Sequence, residues 1–151
     1  MAAMNEQMVE YVTAVIGGQL FGLPISRTQD VFAPDRLTRV PLAAAEVAGL
    51  LNLRGRIVTV IDMRRRLDFA PRNVGRPMAI GIEWQGESYG LLIDEIGEVL
   101  KLAAAECEDN PVNLDPRLAR VSAGVHRLEG QLMVVLDVDR VLEVGISAAA
   151  A

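Results

Sequence analysis

Chemistry at a protein site needs converging groups, so the residues able to supply them come first. The chain has one histidine, His126, in the apolar run SAGVHRL, and one cysteine, Cys107. Without a second histidine, a metal would have to rest on carboxylates, and a lone His at an apolar position reads as structural rather than as a base. The acids Glu106, Glu108 and Asp109 lack the spacing of a calcium loop and read as a solvated loop. Cys107 has no helix start or basic neighbour to lower its pKa, which leaves an inert thiol. A single cysteine also excludes an internal disulfide and a multi-cysteine zinc site. Asp62 and Asp137 stand near the ends of two similar apolar runs, IVTVIDM and LMVVLDV. Two such carboxylates invite a catalytic pair. Duplication explains them more simply, each accepting hydrogen bonds that hold its own half together. The glycines over 17–22 and 81–90 precede no GK[ST] ending and no helix, so they cradle no phosphate. No catalytic residue, metal ligand or cofactor site emerges.

The basic cluster Arg64–Arg66 with Arg54 and Arg56 could track phosphates, but no aromatic interleaves it. Net charge is −5 and aromatics are 4% of the chain, which disfavours nucleic acid as a partner. A solvated strip facing a protein partner is the better reading. Charge is also uneven. Leu20–Arg76 holds ten Arg against five acids, whereas Pro77–Gly145 holds five basic residues against thirteen acids. One basic and one acidic half could associate head to tail with a similarly built partner. The opening MAAMNEQMVEY does not read as a signal peptide, and no apolar stretch reaches the roughly 18 residues of a membrane span.

These residues must be positioned by strands. Hydrophobic residues make up 51% of the chain, enough for a packed interior. Short apolar, β-branched runs alternate with Gly-containing turns, as in MVEYVTAVIGG followed by QLFGLPI, which predicts an all-β fold. Helical periodicity is confined to short segments at Ala43–Val47 and Val138–Glu143. The chain also repeats itself. Shifted by 68 positions, Gly18, Gly22, Leu23, Ile25 and Val31 fall on Gly86, Gly90, Leu91, Ile93 and Val99, and Asp30 falls on Glu98. Shifted by 75, Gly49, Leu53, Gly55, Val60, Asp62, Arg65 and Leu67 fall on Gly124, Leu128, Gly130, Val135, Asp137, Arg140 and Leu142. Each half reads as a hairpin, a variable connection, and a Gly-centred turn feeding an apolar strand. Two small five-stranded barrels packed together satisfy this pattern and leave no long sheet edge exposed. Positions alike in both copies read as scaffold, and positions that differ can carry function. Arg54 opposes Glu129, Asn52 opposes Arg127 and Arg56 opposes Gln131, and the charge reversal makes Arg54 a candidate site residue.

Gly49–Leu67, GLLNLRGRIVTVIDMRRRL, resembles the signature of the CheW family of chemotaxis adaptors through Gly49, Asn52, Leu53, Arg54, Gly55, Val60, Asp62 and Met63. Thr59 departs from it, standing where many members carry Pro. The opening YVTAVIGGQLFGLPISRTQDVF is similar to the family's first hairpin and following strand. YGLLIDEIGEVLKL and VSAGVHRLEGQLMVVLDVDRVL are similar to its second barrel. The resemblance implies two pseudo-repeated SH3-like β-barrels with short helical segments, in a single domain over 8–145. The expected division is a first barrel largely 18–76 and a second largely 77–140, with strand exchange near the termini allowed. Residues 1–7 and 146–151 are expected as flexible tails.

It further implies a receptor-binding groove near the barrel junction, with Arg54 and Asp30 paired there, Thr28 and Val31 flanking it, and Asn52 and Arg56 nearby. The partners implied are the cytoplasmic hairpin tip of a chemoreceptor and the regulatory domain of the CheA histidine kinase. The kinase is expected on the first barrel, through residues the resemblance does not name. The implied protein is non-catalytic, cytoplasmic, recruited to membrane-associated receptor arrays, and without cofactor, nucleic-acid partner or membrane insertion. The alternatives are a small acidic β-barrel enzyme or ligand-binding domain with a pocket between its lobes, and a CheW paralogue of a non-flagellar chemosensory array.

Overall fold

The computed structural model describes residues 7–71 and 75–143, so the tails expected at 1–7 and 146–151 lie outside it except for Gln7. Ten strands follow one another with few helical interruptions. They are β1 (Met8–Ile16), β2 (Gln19–Pro24), β3 (Thr28–Phe32), β4 (Val47–Leu53), β5 (Arg56–Asp62), β6 (Met78–Trp84), β7 (Glu87–Ile93), β8 (Glu95–Ala103), β9 (Ser122–Leu128) and β10 (Gln131–Leu136). Helix α1 (Met63–Arg66) follows β5, α2 (Pro116–Ala119) precedes β9, and α3 spans residues 138–143. The second expected helix forms; the first, at Ala43–Val47, does not. That segment is turn leading into β4, with Val47 N–H bonded to Ala44 O, because pairing of Val47 with Ile61 on β5 claims its end for the sheet.

The repeat is visible element by element, β1 to β5 against β6 to β10. The turn glycines Gly55 and Gly130 share a left-handed backbone, φ 81° and 80°, a conformation that only glycine adopts without strain. The sheets, however, are not composed half by half. One has the order β8-β1-β2-β10-β9 and the other β3-β6-β7-β5-β4. Each half thus lends its first hairpin to the other half's sheet, a larger exchange than the expected 18–76 and 77–140 division allows. Parallel pairing of β10 with β2 and of β5 with β7 stitches the loans in place.

Each sheet curls towards closure. The chain leaving β3 bridges to β4 at Thr38–Leu50, and the chain leaving β8 bridges to β9 at Glu108–Val125. Tyr11, Met133 and Val135 centre the interior of the β8–β9 barrel, and Leu51, Val58 and Val60 that of the β3–β4 barrel. The largest apolar layer lies between the two sheets. Val12, Ala14 and Phe21 from one meet Ile61, Ile80 and Leu91 from the other, all buried. Cross-strand neighbours share a face of a sheet, so pairing to a residue of this layer decides which side chains border it.

Candidate functional site

The signature motif forms the two-residue turn between β4 and β5, closed by the Leu53–Arg56 pair. Asn52 Oδ1 accepts a hydrogen bond from Gly55 N–H at 2.8 Å, which pins the turn and gives Asn52 a local structural role. Both central residues have positive φ, Arg54 at 54° and Gly55 at 81°, the combination a tight primed hairpin turn requires. Glycine or asparagine fits the first position at little cost, whereas arginine there stores about 1 kcal/mol of strain. Arg54 and Arg56 are both exposed. The turn presents Arg54 outward despite its strain.

Asp30 lies on β3, an edge strand, where a bulge interrupts pairing with β6 between Thr28 and Val31. Its carboxylate rests on the backbone of Gly81, so closely that a β-carbon there would collide with Asp30 Oδ1. That oxygen is buried and accepts no hydrogen bond. The expected Arg54–Asp30 pairing is absent: no ion pair among the described residues joins them, and the bulge turns Asp30 onto Gly81 instead. An orphaned carboxylate oxygen costs about 1–3 kcal/mol. Thr28 is tied down locally, its hydroxyl donating to Ile25 O at 2.9 Å.

Val31 pairs with Ile80, and Thr28 with Ile82, both members of the layer between the sheets. These β3 residues therefore border that layer, and Val31 is 42% exposed. The same reasoning applies to β8, the edge of the other sheet. Val99 pairs with Val12 and Ile96 with Ala14, across a bulge that keeps both on the inter-sheet face. Val99 is 52% and Ile96 39% exposed. Each sheet thus leaves an apolar border of the shared layer uncovered. The 3-10 turn Ile25–Arg27 touches β1, the strand that carries β8. Sequence reasoning missed Val99 and Ile96. The match of Val31 with Val99 across the repeat was the available signal, taken there for scaffold.

Other candidates resolve into structure. Of the arginine run, Arg65 alone has an exposed side chain with no partner among the described residues; the expected solvated strip is not what Arg64 and Arg66 form. Arg64 binds Asp94 through Nε at 2.9 Å and Nη2 at 2.5 Å, both side chains being 12% exposed. Arg66 donates to the carbonyls of Val141 at 2.7 Å and Arg140 at 2.8 Å, tying α1 to α3. Asp62 accepts from Arg64 N–H at 3.0 Å and caps α1, while Asp137 accepts from Arg140 N–H at 3.2 Å in α3. Each thus serves its own copy. His126 is 2% exposed, its Nε2 3.3 Å from the Tyr11 hydroxyl, and burial pushes its pKa down. Burial and the nearby Asp109 and Glu108 push the Cys107 thiol up, away from reactivity.

A cleft of about 580 Å³ does open between the halves, lined by Arg64, Phe69, Arg117 and Leu132 among others. Its guanidiniums are already engaged. Arg64 is bound to Asp94 and to Ala70 O, and Arg117 to Asp115 and to Asp68 O. A ligand would have to break these pairs, which weighs against the pocket alternative. Among the described residues no cluster of three or more His, Cys, Asp or Glu could hold a metal ion, and no helix is long and apolar enough to cross a membrane.

Comparison with known proteins agrees with the geometry. The family model for the CheW-like domain matches residues 10–145. The chain is 25% identical over 134 residues to the chemotaxis protein CheW of Thermotoga maritima, covering 89% of this chain and 87% of that one. It is 24% identical over 136 residues to CheW of Klebsiella aerogenes, covering 88% and 81%. The crystal structure of the scaffolding protein TtCheW from Thermoanaerobacter tengcongensis superposes with a TM-score of 0.82 at 24% identity, covering 91% of this chain and 90% of that one. With two repeated five-stranded sheets, the NLRG turn and this match over nearly its whole length, the chain belongs to the CheW-like domain family.

Proposed function

We propose that this chain is a non-catalytic chemotaxis scaffold that couples a chemoreceptor to the CheA histidine kinase. One surface holds the receptor's cytoplasmic hairpin tip and another holds the kinase's regulatory domain. The observation that carries this reading is the uncovered border of the inter-sheet layer. Val31 and Val99, exposed by 42% and 52% on the edges of the shared apolar layer, offer apolar contact to a partner. Arg54 supplies an exposed charge at the β4–β5 turn, and its strained backbone supports a role for that turn beyond stability.

The kinase docks on the barrel that holds β4 and β5. Ile57, 59% exposed on β5 next to the signature turn, offers an apolar contact there. Two interfaces on one rigid body share a coupling free energy, so a receptor conformation can bias the kinase without any chemistry by the scaffold. Contacts that are weak singly add up in an ordered array through effective concentration. The protein works in the cytoplasm and is recruited to membrane-bound receptor arrays. Pull-down of the purified chain with a receptor tip fragment, and separately with a CheA regulatory domain, tests the reading. Both bind, and Arg54→Glu loses the receptor only. Binding of neither partner would refute it.

A further inference from the structure

Asp139 on α3 joins three elements that sequence alone keeps apart. Its Oδ1 accepts from Trp84 Nε1 at 3.0 Å at the end of β6, and from Arg27 Nη2 at 3.4 Å in the 3-10 turn that leads into β3. Trp84 is the chain's one tryptophan and is 9% exposed. Beside this junction, Gln29 Nε2 on β3 donates to Glu83 Oε2 on β6 at 3.1 Å. Helix α3 is itself fixed. Arg66 binds its carbonyls, and Val138, Val141 and Leu142 are buried in the inter-sheet layer. The turn at 25–27 is held less firmly: none of its residues is buried, no side chain caps its N-terminal end, and the Thr28 hydroxyl on Ile25 O ties its C-terminal end locally.

We propose that Asp139 is a positioning residue for the docking edge, holding Arg27 and Trp84 so that the 3-10 turn and the start of β3 present Ile25, Thr28 and Val31 in a fixed place. It touches no partner. This rests on the adaptor reading, because β3 is the receptor edge only if that reading holds. The Arg27 contact is largely solvated and adds little by itself. The Trp84 bond is partly shielded, and the two donors sharing one carboxylate oxygen make the junction act as a unit. Loss of it frees the turn, and the partner must then order it on binding.

The test uses the full chain, with Asp139→Ala and Asp139→Glu, and three readouts. Trp84 emission reports whether the junction is broken, and titrations with a receptor tip fragment and with a CheA regulatory domain report each interface. Asp139→Ala shifts the emission and weakens receptor binding about fivefold, the ratio of one lost net hydrogen bond. Kinase binding stays as in the wild type, and Asp139→Glu restores both emission and receptor affinity. Unchanged emission in Asp139→Ala would mean the junction does not form, and receptor affinity within about twofold of wild type despite shifted emission would mean it positions nothing. Parallel loss of both partners would reduce Asp139 to a general fold residue. A wild-type chain that binds no receptor fragment would instead overturn the adaptor reading, and this inference with it.

Discussion

At the scale of single residues, stability and function pull apart most clearly at Arg54. Its left-handed φ of 54° suits glycine better. Arg54→Gly should therefore raise the unfolding free energy by about 1 kcal/mol, measured by chemical denaturation, while weakening receptor binding. A variant that is stabilised and still binds normally would remove Arg54 from the docking surface. His126 makes a second separation. Its pKa is pushed down by burial, so the folded state resists protonation. Above roughly pH 6.5 both folded and unfolded chains are neutral at this residue and it adds no pH dependence. As pH falls below that, the unfolded chain takes the proton first, and stability drops until the folded pKa is reached. Denaturation midpoints should fall across that acid window in the wild type and fall less in His126→Leu. The structural role of His126 was legible in the sequence, since one imidazole among apolar neighbours has no chemistry to join. The roles of Arg64 and Arg66 were not. A run of three arginines reads as a solvated strip until Asp94, Val141 and Arg140, at least 30 positions away, are seen beside it.

At the scale of elements, the two edge strands carry the exposed apolar border proposed for docking. Val31→Glu and Val99→Glu place charges on side chains already exposed by 42% and 52%, so the fold should tolerate them within about 0.5 kcal/mol. Receptor-fragment binding, followed by titration calorimetry, should be lost in both. Loss in Val31→Glu alone would confine the border to β3. Strand positions and turn glycines could be read from period-two patterning and from the repeat, because those signals are local. Bulges were not legible. The β8 bulge between the Val12 and Ala14 pairings keeps Val99 and Ile96 on one face, where plain alternation would separate an odd from an even position.

At the scale of the whole molecule, the governing feature is the reciprocal loan of hairpins. Alternation reveals which residues form strands but carries no information about partners, so the sequence allowed exchange only near the termini. The sheets β8-β1-β2-β10-β9 and β3-β6-β7-β5-β4 show it to be reciprocal and to include the mid-chain hairpin β6–β7. Neither half then owns a whole sheet. Chains cut into residues 1–76 and 77–151 should each lack dispersed amide signals in NMR spectra, and recover them only on mixing. A half that folds alone would contradict the exchanged topology. The loan also ties the two barrels together through both hairpins and one shared apolar layer, a connection a scaffold needs if a movement at one interface is to be felt at the other.

The most direct test of that scaffold role is the mass, by sedimentation velocity, of this chain mixed with a receptor tip fragment and a CheA regulatory domain together. The account predicts a single species containing all three, which Arg54→Glu reduces to the chain with the kinase domain. Two competing binary complexes, with no ternary species at any concentration, would show that the partners share one surface and that the chain does not couple them.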